Sequence, residues 1–481
     1  MFADPSGVKE VEDLLLGGLV ITDVVDDSRR VTPGSLYVCL RGQSFDGHDF
    51  AGQAVVDGAV ALLVDHLVEI PGAQVPVAQI PVAQIVVDDT RVRVGPIAAL
   101  LVGHPSRSLT TVGITGTNGK TTTAQFLEAI FNGIGRPTGV VGTLHGPRTT
   151  PEAAELQRTL RGFLDDGREA AVLEVSSHAL ALHRVDGTEF DAVVFTNLGH
   201  DHLDLHGSQE EYFRAKARLF SPDFSSLGII NVDDPHGRLL ADTVEDSKFR
   251  VVAVSTGDID EVHVDAASHR YRWHGLDVVV PIGGHFNVSN SLIALTTAVE
   301  LGVEPTVAVA ALRSVAVVPG RFQLVRTPAA DRLGVMIVVD YAHTPDGLGE
   351  VLTSARAVAA EHSVIVVFGC GGERDRPKRP EMGRVAAELA DLVVVTSDNP
   401  RSEEPTAIIG DIIEGVAAEY RQRVVTDPDR RSAIRIALES ARAGDVVVIA
   451  GKGHESTQEY ADRTVDFDDV QVAADIVEAM A

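Results

Sequence analysis

Residues 113–123 read G-I-T-G-T-N-G-K-T-T-T. The apolar run 109–114 predicts a strand leading in, and Phe126, Leu127, Ile130 and Phe131 recur at helical spacing behind it. Strand, glycine loop, Lys-Thr and helix make a phosphate-binding arrangement. Gly116 and Gly119 let the backbone pass close to an anion, and the loop N–H groups and helix N-terminus carry partial positive charge. Lys120 adds a point charge toward the outer phosphates, and Thr121 offers a hydroxyl to magnesium. The strict pattern G-x-x-x-x-G-K-[ST] is not met, because residue 114 is Ile. The match is the shorter G-T-N-G-K-T-T, and the flanking strand and helix favour nucleotide over a chance loop.

The 481 residues are too many for one core, so two to four domains are expected. A hydrophobic share of 44% and a charged share of 23% fit a globular chain. The formal net charge of -28 makes nucleic acid and anionic membrane poor partners. No apolar run approaches a membrane span, so no insertion is expected. Residues 1–16 hold no basic cluster before an apolar core, so a signal peptide is not expected and the cytoplasm is the default location. Cys39 and Cys370 lie far apart and suggest no disulfide scaffold. Lysine is scarce, confined to Lys9, Lys120, Lys216, Lys248, Lys378 and Lys452, which makes its placement informative.

Residues 1–104 read as a first unit, with a turn at Pro33-Gly34, a short strand at 36–40, and P-V-A-Q-I twice in a loop or edge strand. Residues 105–330 alternate strand and helix, with strands expected at 171–175, 192–197, 228–232 and 251–255. Residues 331–481 repeat the pattern, with strands at 336–339, 364–368, 392–396 and 446–450. Continuous β-branched runs suit parallel sheets covered on both faces, so the fold class is α/β. Each strand of the last unit runs into a polar cluster, at 340–345, 369–375, 397–401 and 451–455. In open parallel sheets ligands sit beyond the carboxyl ends of the strands. One site built by several loops follows, with ATP held between the second and third units.

Glu174 ends a strand, where a carboxylate needs a partner; magnesium near Thr121 supplies one, and an arginine is the alternative. F-T-N-L-G-H-D-H-L-D-L-H-G at 195–207 has no cysteines, which favours magnesium or substrate positioning over structural zinc. In Y-F-R-A-K-A-R-L-F at 212–220, the residues alone put Lys216 on a solvated helix face. His454-Glu455 is not a zinc-protease helix, because residue 458 is Gln. The guanine-reading N-K-x-D is absent, and the lone Trp273 reads as packing.

Taken in order, these stretches resemble the Mur ligases of peptidoglycan synthesis, most closely the MurE type. The matching runs are D-S-R-R-V-T-P-G-S-L-Y-V at Asp27, D-G-H-D-F at Asp46, T-G-T-N-G-K-T-T at Thr115, T-T-P at Thr149 and E-V-S-S-H-A-L at Glu174. They continue with the 195–207 run, A-K-A-R-L-F at Ala215, F-N-V-S-N at Phe286 and P-G-R-F at Pro319. The last are D-Y-A-H-T-P-D at Asp340, G-C-G-G-E-R-D at Gly369, D-N-P-R at Asp398 and G-K-G-H-E at Gly451.

The resemblance implies a three-domain ligase: 1–104 for the UDP-sugar, 105–330 as a central P-loop ATPase, and 331–481 as a Rossmann-like domain for the amino acid. It implies an acid–amino-acid ligase using ATP and Mg2+, with UDP-N-acetylmuramoyl-dipeptide and meso-diaminopimelate as the other substrates; a monomer is expected. By the same resemblance Gly116, Thr117, Asn118, Gly119, Lys120, Thr121, Thr122, Asn290, Arg321, Asp340 and His343 hold ATP. Thr121, Glu174 and His202 become magnesium ligands, joined by Lys216 as a carbamate, which reverses its solvated reading. Ser28, Thr149, Thr150, Ser176 and Arg184 hold the UDP-muramoyl-dipeptide. Arg374, Asp398, Asn399, Arg401, Gly451 and Glu455 surround diaminopimelate, with Glu455 answering its distal ammonium. Two departures stand out: Leu182 replaces the family's glutamine, and the segment between Gly142 and Thr149 is short.

The amino acid rests on D-N-P-R. Diaminopimelate is lysine with a carboxylate on its far carbon, and a guanidinium both grips that carboxylate and suffers when it is missing. The bland alternative pairs Arg401 with Glu403 or Glu404 on the surface. The rival functions are a lysine-adding or folylpolyglutamate-type ligase, and a regulatory module that binds nucleotide without ligating.

Overall fold

The computed structural model describes residues 8–480 apart from 43–44, 71–81, 202 and 245–247. The first sheet is all parallel, in the order β1 (Asp23–Val25), β2 (Ser35–Val38), β3 (Ala61–Val64), β4 (Ala83–Val86). The second copy of P-V-A-Q-I runs into β4, an edge strand as read; the first lies outside the described residues.

The second sheet is also all parallel. It contains β5 (Thr110–Thr115), β6 (Thr138–Val141), β7 (Ala170–Glu174), β8 (Ala192–Phe195), β9 (Leu227–Asn231) and β10 (Arg250–Val254), in the order β10-β9-β8-β5-β7-β6. Alternate residues feed two cores. Val112, Ile114, Val172, Val194 and Ile229 pack with helices Lys120–Gly133 and Phe286–Glu300, while Ala171, Leu173, Val193, Phe195 and Ile230 pack on the other face. The period-2 pleat meets apolar cover on both sides, so these runs carry no polar alternation. Strand order reverses at β5, which leaves a crevice beyond its carboxyl end, where the phosphate loop lies.

Plain strand–helix alternation fails after β10, and again in the hairpin near the end of the last unit. Strands β11 (Asp260–Val264), β12 (His269–Trp273) and β13 (Leu276–Val280) form a separate antiparallel sheet. His274 and Gly275, both at positive φ (47° and 76°), make the two-residue turn, and β12 alternates buried and exposed residues. Trp273 is buried in the core under this sheet, as packing.

The last sheet contains β14 (Gln323–Leu324), β15 (Met336–Asp340), β16 (Val364–Phe368), β17 (Leu392–Val395), β18 (Val424–Thr426) and β19 (Val446–Ala450). Its order is β14-β15-β19-β16-β17-β18, parallel except for β14. A hairpin of β20 (Thr457–Glu459) and β21 (Thr464–Asp466) follows. The nine strands predicted for the two larger sheets are found to within a residue or two at each end, while β6, β14 and β18 were not predicted. Cys39 and Cys370 are buried free thiols, and no described helix is long and apolar enough to cross a membrane.

One buried ion pair braces the loops that follow β17 and β19. Arg430 grips Asp469 with two hydrogen bonds, Nε to Oδ1 at 2.8 Å and Nη2 to Oδ2 at 2.7 Å, and both side chains are fully buried. The same guanidinium donates to Ser397 O (3.2 Å) and Ala450 O (3.0 Å). Arg430→Met leaves Asp469 buried without its cation. The expected loss is about 3–5 kcal/mol of stability, read as a lowered denaturation midpoint in guanidinium chloride.

Candidate active site

The phosphate loop is shaped by close approaches that only glycine permits. Gly119 caps the helix Lys120–Gly133 at φ 85°, and Gly116 stands at φ 152°. A Cβ on Gly116 would lie 1.8 Å from Thr196 Oγ1, and one on Gly119 would lie 2.4 Å from Asn290 Oδ1. The turn after β8 braces the loop: Asn118 N–H donates to Asn197 Oδ1 (2.8 Å), and Thr196 Oγ1 donates to Asn118 O (2.6 Å). Lys120 Nζ folds back onto Gly116 O and Thr117 O, both at 2.8 Å.

The buried Glu174 carboxylate accepts from Thr121 Oγ1 (2.9 Å), Thr143 N–H (3.0 Å) and Thr143 Oγ1 (3.3 Å). These partners are neutral, so the arginine alternative gives way to hydroxyl and amide donors. The arginine that does reach this point is Arg321, which donates to Thr121 Oγ1 (3.3 Å) and stacks on Tyr341 (4.5 Å).

Lys216 is buried, 1% exposed, which overturns the solvated reading. Its helix Gln209–Ala217 turns it inward, over the Tyr212 ring and onto Gly116 O at 2.8 Å. That oxygen also accepts from Lys120, so two lysines converge on one carbonyl. Burial first, and the Lys120 charge second, push the Lys216 amine well below the ordinary lysine range. Burial lowers Lys120 as well, with Glu174 and Asp201 opposing. His202 lies outside the described residues.

Loops of the last sheet close the crevice. Asp340 accepts Phe322 N–H (2.7 Å) and Ala342 N–H (2.8 Å), and burial pushes its carboxyl up. His343 Nε2 lies 4.0 Å from Asp201 Oδ2, and burial lowers its imidazole. The His200 N–H donates to Asp346 Oδ2 (2.6 Å), tying the two sheets' loops together. Thr117 to Thr122, Asn290, Arg321, Asp340 and His343 line one cavity of about 1020 Å³, as do Thr149, Glu174 and Ser176. Sequence reasoning missed Thr143, whose hydroxyl also meets Thr149 Oγ1 (3.0 Å), and Glu350. Glu350 lines the cavity from a solvent-exposed position, and the crowded crevice wall with nearby Asp346, Asp340 and Asp234 pushes its carboxyl up. Glu350 stands off the buried face of helix Pro345–Ala359, so no sequence signal marked it.

The other expected site residues are not on that cavity's wall. Thr150 Oγ1 donates to Glu174 O (2.8 Å), and Arg184 donates to Thr150 O (3.2 Å) and pairs with Glu152 (2.7 Å). Ser28 sits in the short helix Ser28–Arg30 after β1, not on the cavity wall. A second cluster lies beyond β17 and β19. Asn399 Nδ2 donates to Glu455 Oε2 (2.9 Å), and buried Lys452 reaches both Asn399 Oδ1 (3.1 Å) and Glu455 Oε2 (3.0 Å). Gly451 stands at φ 113°, where a Cβ would come 2.7 Å from Asp398 Oδ2. Arg374 is exposed beside this cluster. Arg401 does not pair with Glu403 or Glu404: its Nε meets Glu459 Oε2 (3.1 Å) and its Nη1 donates to Gly372 O (2.8 Å). Glu403 is held instead by Arg379 and Arg376, which bring its carboxyl down to about 2.

Three family models match: Mur ligase family, catalytic domain, over residues 20–100; Mur ligase middle domain over 114–298; and Mur ligase, glutamate ligase domain, over 320–453. A protein of Syntrophomonas wolfei is 40% identical over 475 residues, 95% of this chain and 94% of that one. One of Chlorobaculum tepidum is 41% identical over 467 residues, 92% of this chain and 89% of that one. Both are named UDP-N-acetylmuramoyl-L-alanyl-D-glutamate–2,6-diaminopimelate ligase. A solved structure of that name superposes with a TM-score of 0.65 at 32% identity, covering 96% of this chain and 95% of the other.

Proposed function

The chain belongs to the Mur ligase family, and from that premise we propose that it joins meso-diaminopimelate to UDP-N-acetylmuramoyl-L-alanyl-D-glutamate at the expense of ATP. The observation that supports this most is the shared cavity, where the phosphate loop of one sheet faces Arg321, Asp340 and His343 from the other. The peptide carboxylate is a poor electrophile. Its oxygen attacks the γ-phosphorus of ATP, ADP leaves, and an acyl phosphate forms. The amine of diaminopimelate then attacks the acyl carbon, and phosphate departs from the tetrahedral intermediate.

Lys120 and the loop N–H groups hold the outer phosphates, and Arg321 brings a second cation to the same point. The Thr121 hydroxyl and buried Glu174 carboxylate are hard oxygen donors that suit magnesium, with His202 and a carbamylated Lys216 completing the ligand set. Magnesium, when bound, neutralises charge on the phosphate oxygens. Thr149, Thr150, Ser176 and Arg184 take the peptide end of the UDP substrate, and Ser28 its nucleotide end. Arg374, Asp398, Asn399, Arg401, Gly451 and Glu455 take diaminopimelate.

The test is phosphate release by the purified enzyme. Release that needs both the UDP-muramoyl-dipeptide and the amino acid is the expected result. Nucleotide binding without turnover would mark a regulatory module instead.

Lys216 gives a second check. Burial favours the uncharged amine, the form that adds carbon dioxide, and a carbamate there would set a negative charge beside the Lys120 ammonium instead of a second positive one. Lys216→Ala is expected to be nearly inactive and partly restored by added short carboxylates. Intact-mass measurement in bicarbonate showing plain lysine at full activity would defeat the carbamate.

A further inference from the structure

We infer that Glu459 is a placeholder carboxylate: it holds the Arg401 guanidinium and must give it up to the distal carboxylate of the incoming amino acid. This rests on the reading of Arg401 as the group that grips that carboxylate.

The geometry is specific. Arg401 is anchored at both ends of its side chain. Its backbone N–H donates to Glu459 O (3.1 Å), and its Nη1 donates to Gly372 O (2.8 Å). With Nη1 tied to that carbonyl, the Nε–Nη2 edge is the one presented to a two-pronged carboxylate. Glu459 Oε2 stands on that edge, at 3.1 Å from Nε.

Hairpin β20–β21 is fixed here by its backbone, not by this side chain. The Glu459 N–H donates to Asn399 Oδ1 (3.0 Å), which also binds the buried Lys452 ammonium. The Glu459 carboxylate is 48% exposed, against 24% for the arginine, so it can swing into water while the hairpin stays in place.

The consequence is a competition that affects two amino acids differently. Diaminopimelate must displace Glu459, so part of its binding is offset by the pair it breaks. Lysine has no carboxylate at that carbon and leaves the Arg401–Glu459 pair intact. Glu459 therefore softens the discrimination, because the cost of breaking the pair falls on diaminopimelate alone. An exposed pair of this kind shifts an equilibrium by about two- to fivefold.

Glu459→Gln in the full-length enzyme tests this, with KM and kcat measured for meso-diaminopimelate and for lysine at saturating ATP and UDP-muramoyl-dipeptide. The expected result is a KM for diaminopimelate lowered by about two- to fivefold, an unaltered KM for lysine, and no such drop when Arg401→Ala is added. An unchanged KM for diaminopimelate overturns the inference. So does a raised one, which would mean that Glu459 grips the ligand's ammonium. Arg401→Ala alone separates the two levels. If it leaves diaminopimelate kinetics intact, the reading of Arg401 fails and takes the inference with it. If it is severe while Glu459→Gln does nothing, only the placeholder role is lost.

Discussion

Lys120→Ala abolishes ligation, with kcat for phosphate release reduced by about 10³-fold or more. The side chain leaves the helix start at the phosphate loop, and its ammonium donates to Gly116 O and Thr117 O at 2.8 Å. Those carbonyls are the partners it leaves when phosphate oxygens arrive. Because charge builds on those oxygens during transfer, the lost cation is felt more in turnover than in nucleotide affinity. The strands and apolar helix face around it are untouched: Phe126, Leu127, Ile130 and Phe131 keep their burial in the core. Thermal denaturation is therefore expected to shift little, and circular dichroism to match the parent enzyme. Near-normal turnover in this variant would remove the phosphate-loop assignment.

Nine strands of the two larger sheets were legible because they are continuous β-branched runs bounded by turns, and burial on both faces produces that pattern directly; β6 with its glycine, the two-residue β14 and the largely exposed β18 lack it. The antiparallel strands β11–β13 escaped because β12 and β13 alternate over only five residues each and β11 is exposed along nearly its whole length, so D-E-V-H-V and H-R-Y-R-W do not stand out beside longer apolar runs. At the site, loops that end strands were readable from polar clusters, and Gly116 and Gly119 from the turn they form. Lys216 shows the limit. On helical spacing alone it belongs with the charged residues around it, and only the fold places the phosphate loop's carbonyl above it. Thr143 was unreadable for a similar reason: its partner Glu174 is 31 residues away, on a neighbouring strand. Glu459 was missed as the partner of Arg401, being 58 residues distant and brought back by a hairpin.

Arg401→Ala and Arg401→Lys each lose most activity toward meso-diaminopimelate, with kcat/KM down by about 10³-fold. Arg401 stands at φ 52°, a left-handed conformation that costs a non-glycine residue about 1–2 kcal/mol. The backbone contact to Glu459 O holds this conformation, and the Nη1 bond to Gly372 O fixes the guanidinium. A ligand spanning Arg401 and Glu455 would set its distal carboxylate on the first and its distal ammonium near the second. Lysine in place of Arg401 keeps the charge but cannot donate at once to Gly372 O and to both oxygens of a carboxylate, so charge alone does not rescue it. Activity on lysine as substrate, which offers no distal carboxylate, is expected to change far less in both variants. The contrast between substrates, measured side by side, separates recognition of the carboxylate from a general collapse of the loop. Equal losses on both substrates would assign Arg401 a structural role, and comparable kcat/KM for lysine and meso-diaminopimelate in the parent enzyme would overturn the choice of amino acid itself.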